Sequence, residues 1–322
     1  MSVNTTKLGC AIFQDAQIMP FSQGRYAAYT RENTLIRECL CIRDFGLAFK
    51  PAERVPVEIR LPKTMIFGGF LFKHFGHFLL ESLARLWFAK DHPDIPLVWL
   101  GRDGLWLDFQ TEILQMLGIN NATRFIDHPV CIHKLLVPEP GYLSQSFFAS
   151  SHADFLAVQD PVPTLPGKRI YLSRRHFGGE SCLTNEAELE RLLVQNGFHI
   201  YYPEKHSVQE QLTYLSSAEK ILSLEGSALH SLILLRQLKA QILLIPRPKT
   251  ELNHNFLTIA QRKGFCQSIL PSEGLYQNIL PVHQSHVQWK GELNLPLVLE
   301  RVSQPDWSPY AFYGSVFSAR YS

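Results

Sequence analysis

Apolar and polar positions along this chain of 322 residues fall into two stretches of regular alternation. Short unbroken apolar runs predict strands covered on both faces, and longer runs with a 3.6-residue period predict helices. Residues 64–70 (TMIFGGF) and 95–100 (IPLVWL) read as buried strands with a helix over 74–90 between them. A second helix over 109–117 is closed by Gly118, and ATRFI and CIHKLLVP (131–138) suggest two more strands. Strand, helix, strand, helix is the signature of a parallel sheet with covering helices. Residues 1–60 mix charges and apolar positions without a clear period.

QDPVPTLPGKR (159–169) carries three prolines and a glycine, which stop both helix and sheet ladders, and it is read as the domain boundary. Beyond it the alternation is more regular. RIYLS, FHIYYP, KILSLEG and AQILLIP read as strands. Helices are predicted over 185–196 with a Thr184/Asn185 cap, from Ser207 to about Ala218, and over 227–236. Ser207 followed by Glu210 is a capping box. The expected fold is α/β: two Rossmann-type, doubly wound domains over 1–160 and 161–275, facing a cleft. Residues 276–322 are expected as a C-terminal extension that packs back on the first domain. Open parallel sheets take ligands outside the carboxyl ends of their strands, and clefts between domains are favoured sites.

Composition narrows the partners. With 31 basic residues against 29 acidic ones, the net charge of +2 gives no reason to expect nucleic acid. The six cysteines are scattered and contain no CxxC pair, so a zinc knuckle is unsupported and buried reduced thiols are expected. No run reaches the roughly 20 apolar residues of a membrane span. The opening MSVNTTKLGC has no basic-then-apolar leader pattern, so a cytoplasmic protein is expected.

Four segments carry candidate chemistry. In KHFGHFLLESLARLW (73–87), a regular helix puts His74, His77, Glu81 and Arg85 on one narrow stripe opposite Phe75, Leu79, Leu83, Leu86 and Trp87. Such a stripe faces a cleft, where Glu81 or His77 takes a proton from a hydroxyl, or lies on the solvent side, or holds a Glu81–Arg85 ion pair. His74 and His77 also raise a metal, but nothing completes the ligand set. In GKRIYLSRRHFGGE (167–180), Arg174 and Arg175 follow a strand's carboxyl end, with Lys168 before the strand, and an arginine there suits a diphosphate. In LSLEGSALHSLIL (222–234), a small-residue turn at Gly226, Ser227 and Ala228 opens a helix whose amides favour an anion. Glu225 there is suited to sugar or ribose hydroxyls. In YPEKHSVQEQ (202–211), Glu204 either binds ribose or lies on a simple surface loop.

FKHFGHFLLESLARLW and the long stretch from RIYLSRRHF through LEGSALHSLIL resemble glycosyltransferase family 61 over about residues 63–266. The resemblance implies a GT-B fold, a nucleotide-sugar donor held mainly by the second domain, and inversion at the anomeric carbon. It implies a glycan or lipid-linked glycan acceptor, in bacterial surface polysaccharide synthesis, peripheral to the inner membrane or with other polysaccharide-assembly proteins. Glu81, with His77 second, is the expected base, and His74 and Arg85 are expected on the acceptor side. Arg174, Arg175, Lys168, Glu204, Ser207, Glu225, Gly226, Ser227, Ala228 and His230 are expected at the donor. No cofactor and no metal are expected. Family members often have His-Gly-Ala-Gly where this chain has Glu225-Gly226-Ser227-Ala228, and His230 stands one turn further on. The rivals are a sugar-phosphate transferase, a metal hydrolase built on His74 and His77, and a non-catalytic nucleotide-sugar-binding subunit.

Overall fold

A computed structural model of the chain describes residues 7–43, 46–101, 104–176, 182–248, 252–280 and 289–308. It is a mixed α/β structure that divides into two compact units, Met1–Val158 and Gln159–Ser322.

The first unit is built on a six-stranded sheet. Its strands are β1 (Cys10–Ser22), β2 (Arg25–Tyr29), β3 (Ile59–Phe70), β4 (Leu97–Leu100), β5 (Thr123–Phe125) and β6 (Val130–Pro138), in the order β2-β1-β6-β3-β4-β5. The four strands β6-β3-β4-β5 run parallel, as their unbroken apolar runs predict. The unreadable first 60 residues supply the correction to an all-parallel sheet. β1 and β2 form an antiparallel hairpin, and β1 pairs antiparallel with β6. Gln23 and Gly24 make its two-residue turn with φ of 48° and 74°. Two positive φ values are the requirement of a tight hairpin turn, normally signalled by Asn-Gly, and Gln-Gly hides it. The core gathers Ile18, Tyr26, Phe67, Phe70, Val98 and Ile132 on one face of the sheet.

The second unit holds a five-stranded parallel sheet: β7 (Arg169–Leu172), β8 (Phe198–Tyr201), β9 (Lys220–Leu224), β10 (Gln241–Ile245) and β11 (Gln267–Ile269). Their spatial order is β8-β7-β9-β10-β11. Chain order therefore reverses between β7 and β9, which makes the crevice above those two strands the topological switch point. The helix over Val208–Ser216 opens with the predicted capping box: the Glu210 N–H donates to Ser207 Oγ at 3.2 Å, and the Ser207 N–H to the Glu210 carboxylate at 2.9 Å. Asn185 does not cap the helix over Glu186–Gln195. Its amide instead pairs with the backbone of Leu293, donating to the carbonyl at 2.8 Å and accepting from the N–H at 3.0 Å. The segment expected as a helix over 227–236 is a 3-10 helix, Ser227–Leu234.

Among the described residues after 275, a strand (Tyr276–Leu280) pairs with another (Lys290–Leu293), and a helix covers Leu295–Val302. Trp289, Leu293, Val298, Val302 and Trp307 are buried in one cluster with Tyr171, Leu222 and Leu243. This part of the expected extension is thus core of the second unit. The aromatic tail over 309–322 lies outside the described residues. No helix among the described residues is long and apolar enough to cross a membrane.

Candidate functional site

In the first unit, β3 delivers the chain to the polar stripe. Gly68 is the extra residue of a bulge against β4, and Gly69 follows with φ of +99°, a conformation that side-chain-bearing residues rarely adopt. The buried Ser82 hydroxyl then ties strand to helix, accepting from the Phe72 N–H at 3.0 Å and donating to the Phe70 carbonyl at 2.9 Å. The predicted helix exists but does not wind evenly. It is α over Phe75–His77, π over Phe78–Ser82, 3-10 over Leu83–Arg85 and α again over Leu86–Lys90. Single π turns inside helices concentrate at functional sites.

Uneven winding takes Arg85 off the stripe. Its guanidinium is buried, donates to the carbonyls of Pro138 and, at 2.7 Å, Glu38, and lies 5.6 Å from the Phe67 ring centre. The Glu81–Arg85 ion pair is therefore replaced. Glu81 pairs with Arg43, which donates from Nε to Oε1 at 2.8 Å and from Nη2 to Oε2 at 2.9 Å. Oε2 also takes a short hydrogen bond from His77 Nδ1, and the Cys41 thiol points at Oε1 from 3.5 Å. Nothing local in the sequence marks Arg43 as a partner 38 residues away. The Glu81 side chain is 6% exposed and that of His77 43%. His74 is exposed at the helix start, its ring 5.1 Å from that of His77. Glu81 and Arg85 both line a cavity of about 400 Å³ whose walls include Cys41, Phe72, Tyr26 and Tyr142.

Burial alone would raise the Glu81 pKa, but the hydrogen bonds from His77 and Arg43 and the Arg43 charge outweigh it and hold it below 4.5. Burial and the Glu81 charge push the Cys41 thiol up to about 12, so it stays a neutral donor. A carboxylate at Nδ1 selects the imidazole tautomer protonated there and leaves Nε2 as the nitrogen that accepts a proton. The lowered Glu81 pKa also fixes a sign. The ion pair contributes stability above pH 4.5, and that contribution is lost as pH falls through the lower folded value. Urea midpoints of the parent and Glu81→Gln are expected to differ most at neutral pH and to converge as pH falls below 4.5 and through the lower folded value. A constant difference across that range would show that the pair does not couple to protons.

In the second unit, the helix over Glu186–Gln195 grips the loop that follows β7. Glu186 Oε1 accepts from the Arg174 N–H at 2.8 Å and from the Tyr171 hydroxyl at 2.9 Å. Glu190, one turn on, accepts from the Ser173 hydroxyl at 2.6 Å, Arg175 Nη1 at 3.1 Å and the Tyr202 hydroxyl at 3.2 Å. Both carboxylates are buried, and burial raises the pKa of Glu186 despite its bonds. This i, i+4 acidic pair on an apolar helix face is a signal that the sequence reading passed over.

Arg174 lies over the turn after β9. A Cβ on Gly226 would stand 2.3 Å from Arg174 Nη1, so only glycine leaves room for the guanidinium. Gly226 itself is extended, at φ −169°, so the requirement is one of space and not of backbone strain. Burial lowers the Arg174 pKa, and the nearby charge of Arg247 lowers it further. Arg247, two residues past β10, was not singled out by the sequence. Glu225 is 2% exposed, and its carboxylate accepts from the N–H groups of Arg247 and Asn253, both at 3.2 Å. The carboxylate expected at ribose or sugar hydroxyls thus has both oxygens engaged by backbone amides.

The remaining expected donor residues divide. Ser227 and Ala228 begin the 3-10 helix beside Gly226. Arg175 is half exposed and turned to Glu190. His230 is buried, stacked on Phe256 with ring centres 4.8 Å apart. Glu204 is exposed on a short 3-10 turn, and Ser207 is committed to its capping box. Lys168 lies apart from the other expected donor residues. It precedes β7 and so stands at the opposite end of the strand from Arg174, bound to Ser217 Oγ and, at 3.2 Å, the Tyr214 carbonyl.

Among the described residues, no group of three or more His, Cys, Asp or Glu side chains is placed to hold a metal ion. The sequence model of the family described as Glycosyltransferase 61 matches residues 75–242, just over half of the chain. No curated protein matches it.

Proposed function

The chain belongs to the glycosyltransferase 61 family and is a glycosyltransferase; from that premise we propose that it moves a sugar from a nucleotide-sugar donor to a glycan hydroxyl, with inversion and without a metal. The observation that carries this reading is the Arg174 guanidinium pressed against Gly226 at the switch point of a parallel sheet. A fixed, permanently charged fork suits a diphosphate leaving group, and the amides at Ser227 and Ala228 add donors beside it.

The first unit supplies the base. Glu81 has both oxygens engaged by Arg43 and a lowered pKa, which makes it a weak base and a strong orienting group. His77, held through Nδ1 and half exposed, is therefore the residue assigned to take the acceptor's proton at Nε2. One base and one displacement give inversion. The acceptor's near end occupies the cavity lined by Glu81, Arg85 and Phe72. The GT-B class, a lipid-linked or other glycan acceptor of a bacterial surface polysaccharide, and a cytoplasmic, membrane-peripheral setting belong to the same proposal and rest on the resemblance.

Thermal stabilisation by nucleotides and nucleotide sugars, with and without EDTA, tests the reading. Ligand at one hundred times its Kd stabilises the native state by about 2.7 kcal/mol. A shift with one nucleoside diphosphate that survives EDTA is expected. A shift that needs metal, or none with any nucleotide, would contradict it. Gly226→Ala sharpens the test. The displaced atom is the tip of a flexible side chain, so the variant is expected to keep its melting temperature and lose most of the nucleotide-induced shift. A full shift in Gly226→Ala would remove the Arg174–Gly226 contact from the donor site.

A further inference from the structure

We infer that Arg247 and Arg174 together form a two-arginine clamp for the donor's diphosphate, with Glu225 as the residue that positions Arg247. The inference rests on the donor site proposed above and extends it to a residue beyond the matched family segment, which ends at 242.

Both guanidiniums sit on one dipeptide. Arg247 Nε donates to the Glu225 carbonyl at 3.2 Å, and Arg174 Nη1 lies against the next residue, Gly226. They arrive from two different strand ends, β7 and β10, on either side of β9. Burial first, and then the like charge of Arg247, depress the basicity of Arg174. The acidic group beside them does not neutralise the terminal nitrogens of Arg247. The Glu225 carboxylate spends one oxygen on the Arg247 N–H and the other on the Asn253 N–H. Among the described residues, the Nη1 and Nη2 atoms of Arg247 carry no hydrogen bond or ion pair. Two cations held together in a half-buried place repel one another, and an anion that bridges them reverses the sign of that interaction. A diphosphate offers two adjacent acidic groups, one for each fork, where a monophosphate offers one.

Glu225 explains how the second arginine stays in place. A buried carboxylate that accepts from the N–H groups of Arg247 and Asn253 fixes the backbone from which Arg247 returns to the Glu225 carbonyl. Its place is behind Arg247, not against ligand.

Calorimetric titration with UDP, GDP, CDP and ADP and the matching monophosphates, in EDTA, tests the clamp. The parent is expected to bind one diphosphate at least tenfold more tightly than its monophosphate. Arg247→Ala is expected to weaken that diphosphate about 10- to 100-fold, the scale of a lost bond to a charged group, with the melting temperature of the free protein unchanged. Arg247→Lys should recover part of the loss, since charge remains and the fork does not. Glu225→Gln should also weaken binding, and the double variant Glu225→Gln/Arg247→Ala should bind no worse than Arg247→Ala alone. Losses that add would show that Glu225 does not act through Arg247. Parent-like binding in Arg247→Ala, with loss in Arg174→Ala, would overturn the clamp and leave the donor site standing. Equal affinity of the parent for mono- and diphosphate would overturn it too. A parent that binds no nucleoside diphosphate would instead refute the donor site itself.

Discussion

Arg174→Ala is expected to give a folded protein that has lost about 10²–10³ in turnover, the scale of one missing fixed donor at a developing charge. The fold should tolerate the change. Arg174 sits on a loop end where the like charge of Arg247 opposes it, and Glu186 holds that loop through the backbone N–H and not through the guanidinium. The loss should fall on the chemical step as well as on donor affinity, because charge on the leaving diphosphate grows as the glycosidic bond breaks. Turnover measured at saturating donor separates the two. An unchanged rate at saturation would make Arg174 a binding group only.

His77→Ala is expected to lose about 10²–10⁴, the usual worth of a positioned general base. Glu81→Gln should lose less than His77→Ala, since the imidazole remains and only its tautomer and orientation are released. That order is the discriminating result. If Glu81 were itself the base, Glu81→Gln would be at least as inactive as His77→Ala. The bidentate Arg43 bond argues for the first order, because a carboxylate so engaged has little basicity to offer. Arg43→Ala should therefore also reduce turnover, by freeing Glu81 to move away from His77.

The parts of this account that were legible in the sequence are those set by local pattern. Unbroken runs such as IPLVWL and AQILLIP mark strands buried on both faces, because only a parallel sheet covered by helices hides such residues twice over. Ser207 and Glu210 mark a helix start because each satisfies an orphan amide of the other. Arg174 was legible from its place after a strand, and Gly226 from its place before a helix.

The rest depends on contacts that cross the chain. Glu81 finds Arg43 and not Arg85, because a π turn breaks the even spacing that an ideal helix wheel assumes. Asn185 looked like a cap and serves as a tether, because the strand at Leu293 engages both its amide nitrogen and its amide oxygen. Lys168 looked like part of a basic cluster, but four residues of extended strand carry it to the other end of the sheet. The first hairpin was hidden by a Gln-Gly turn, and Arg247 by the absence of any motif around it.

The most direct test of the central claim is to follow a nucleotide sugar by proton NMR in the presence of EDTA, with water or a panel of glycans as acceptor. The account predicts that the donor chosen by the binding screen is consumed, that a nucleoside diphosphate is released, and that the first new anomeric signal has the opposite configuration to the donor. Release of a nucleoside monophosphate would indicate transfer of a sugar phosphate. Retention of configuration, arrest by EDTA, or binding with no consumption at all would each contradict the claim that Arg174 and His77 serve a metal-independent inverting transfer.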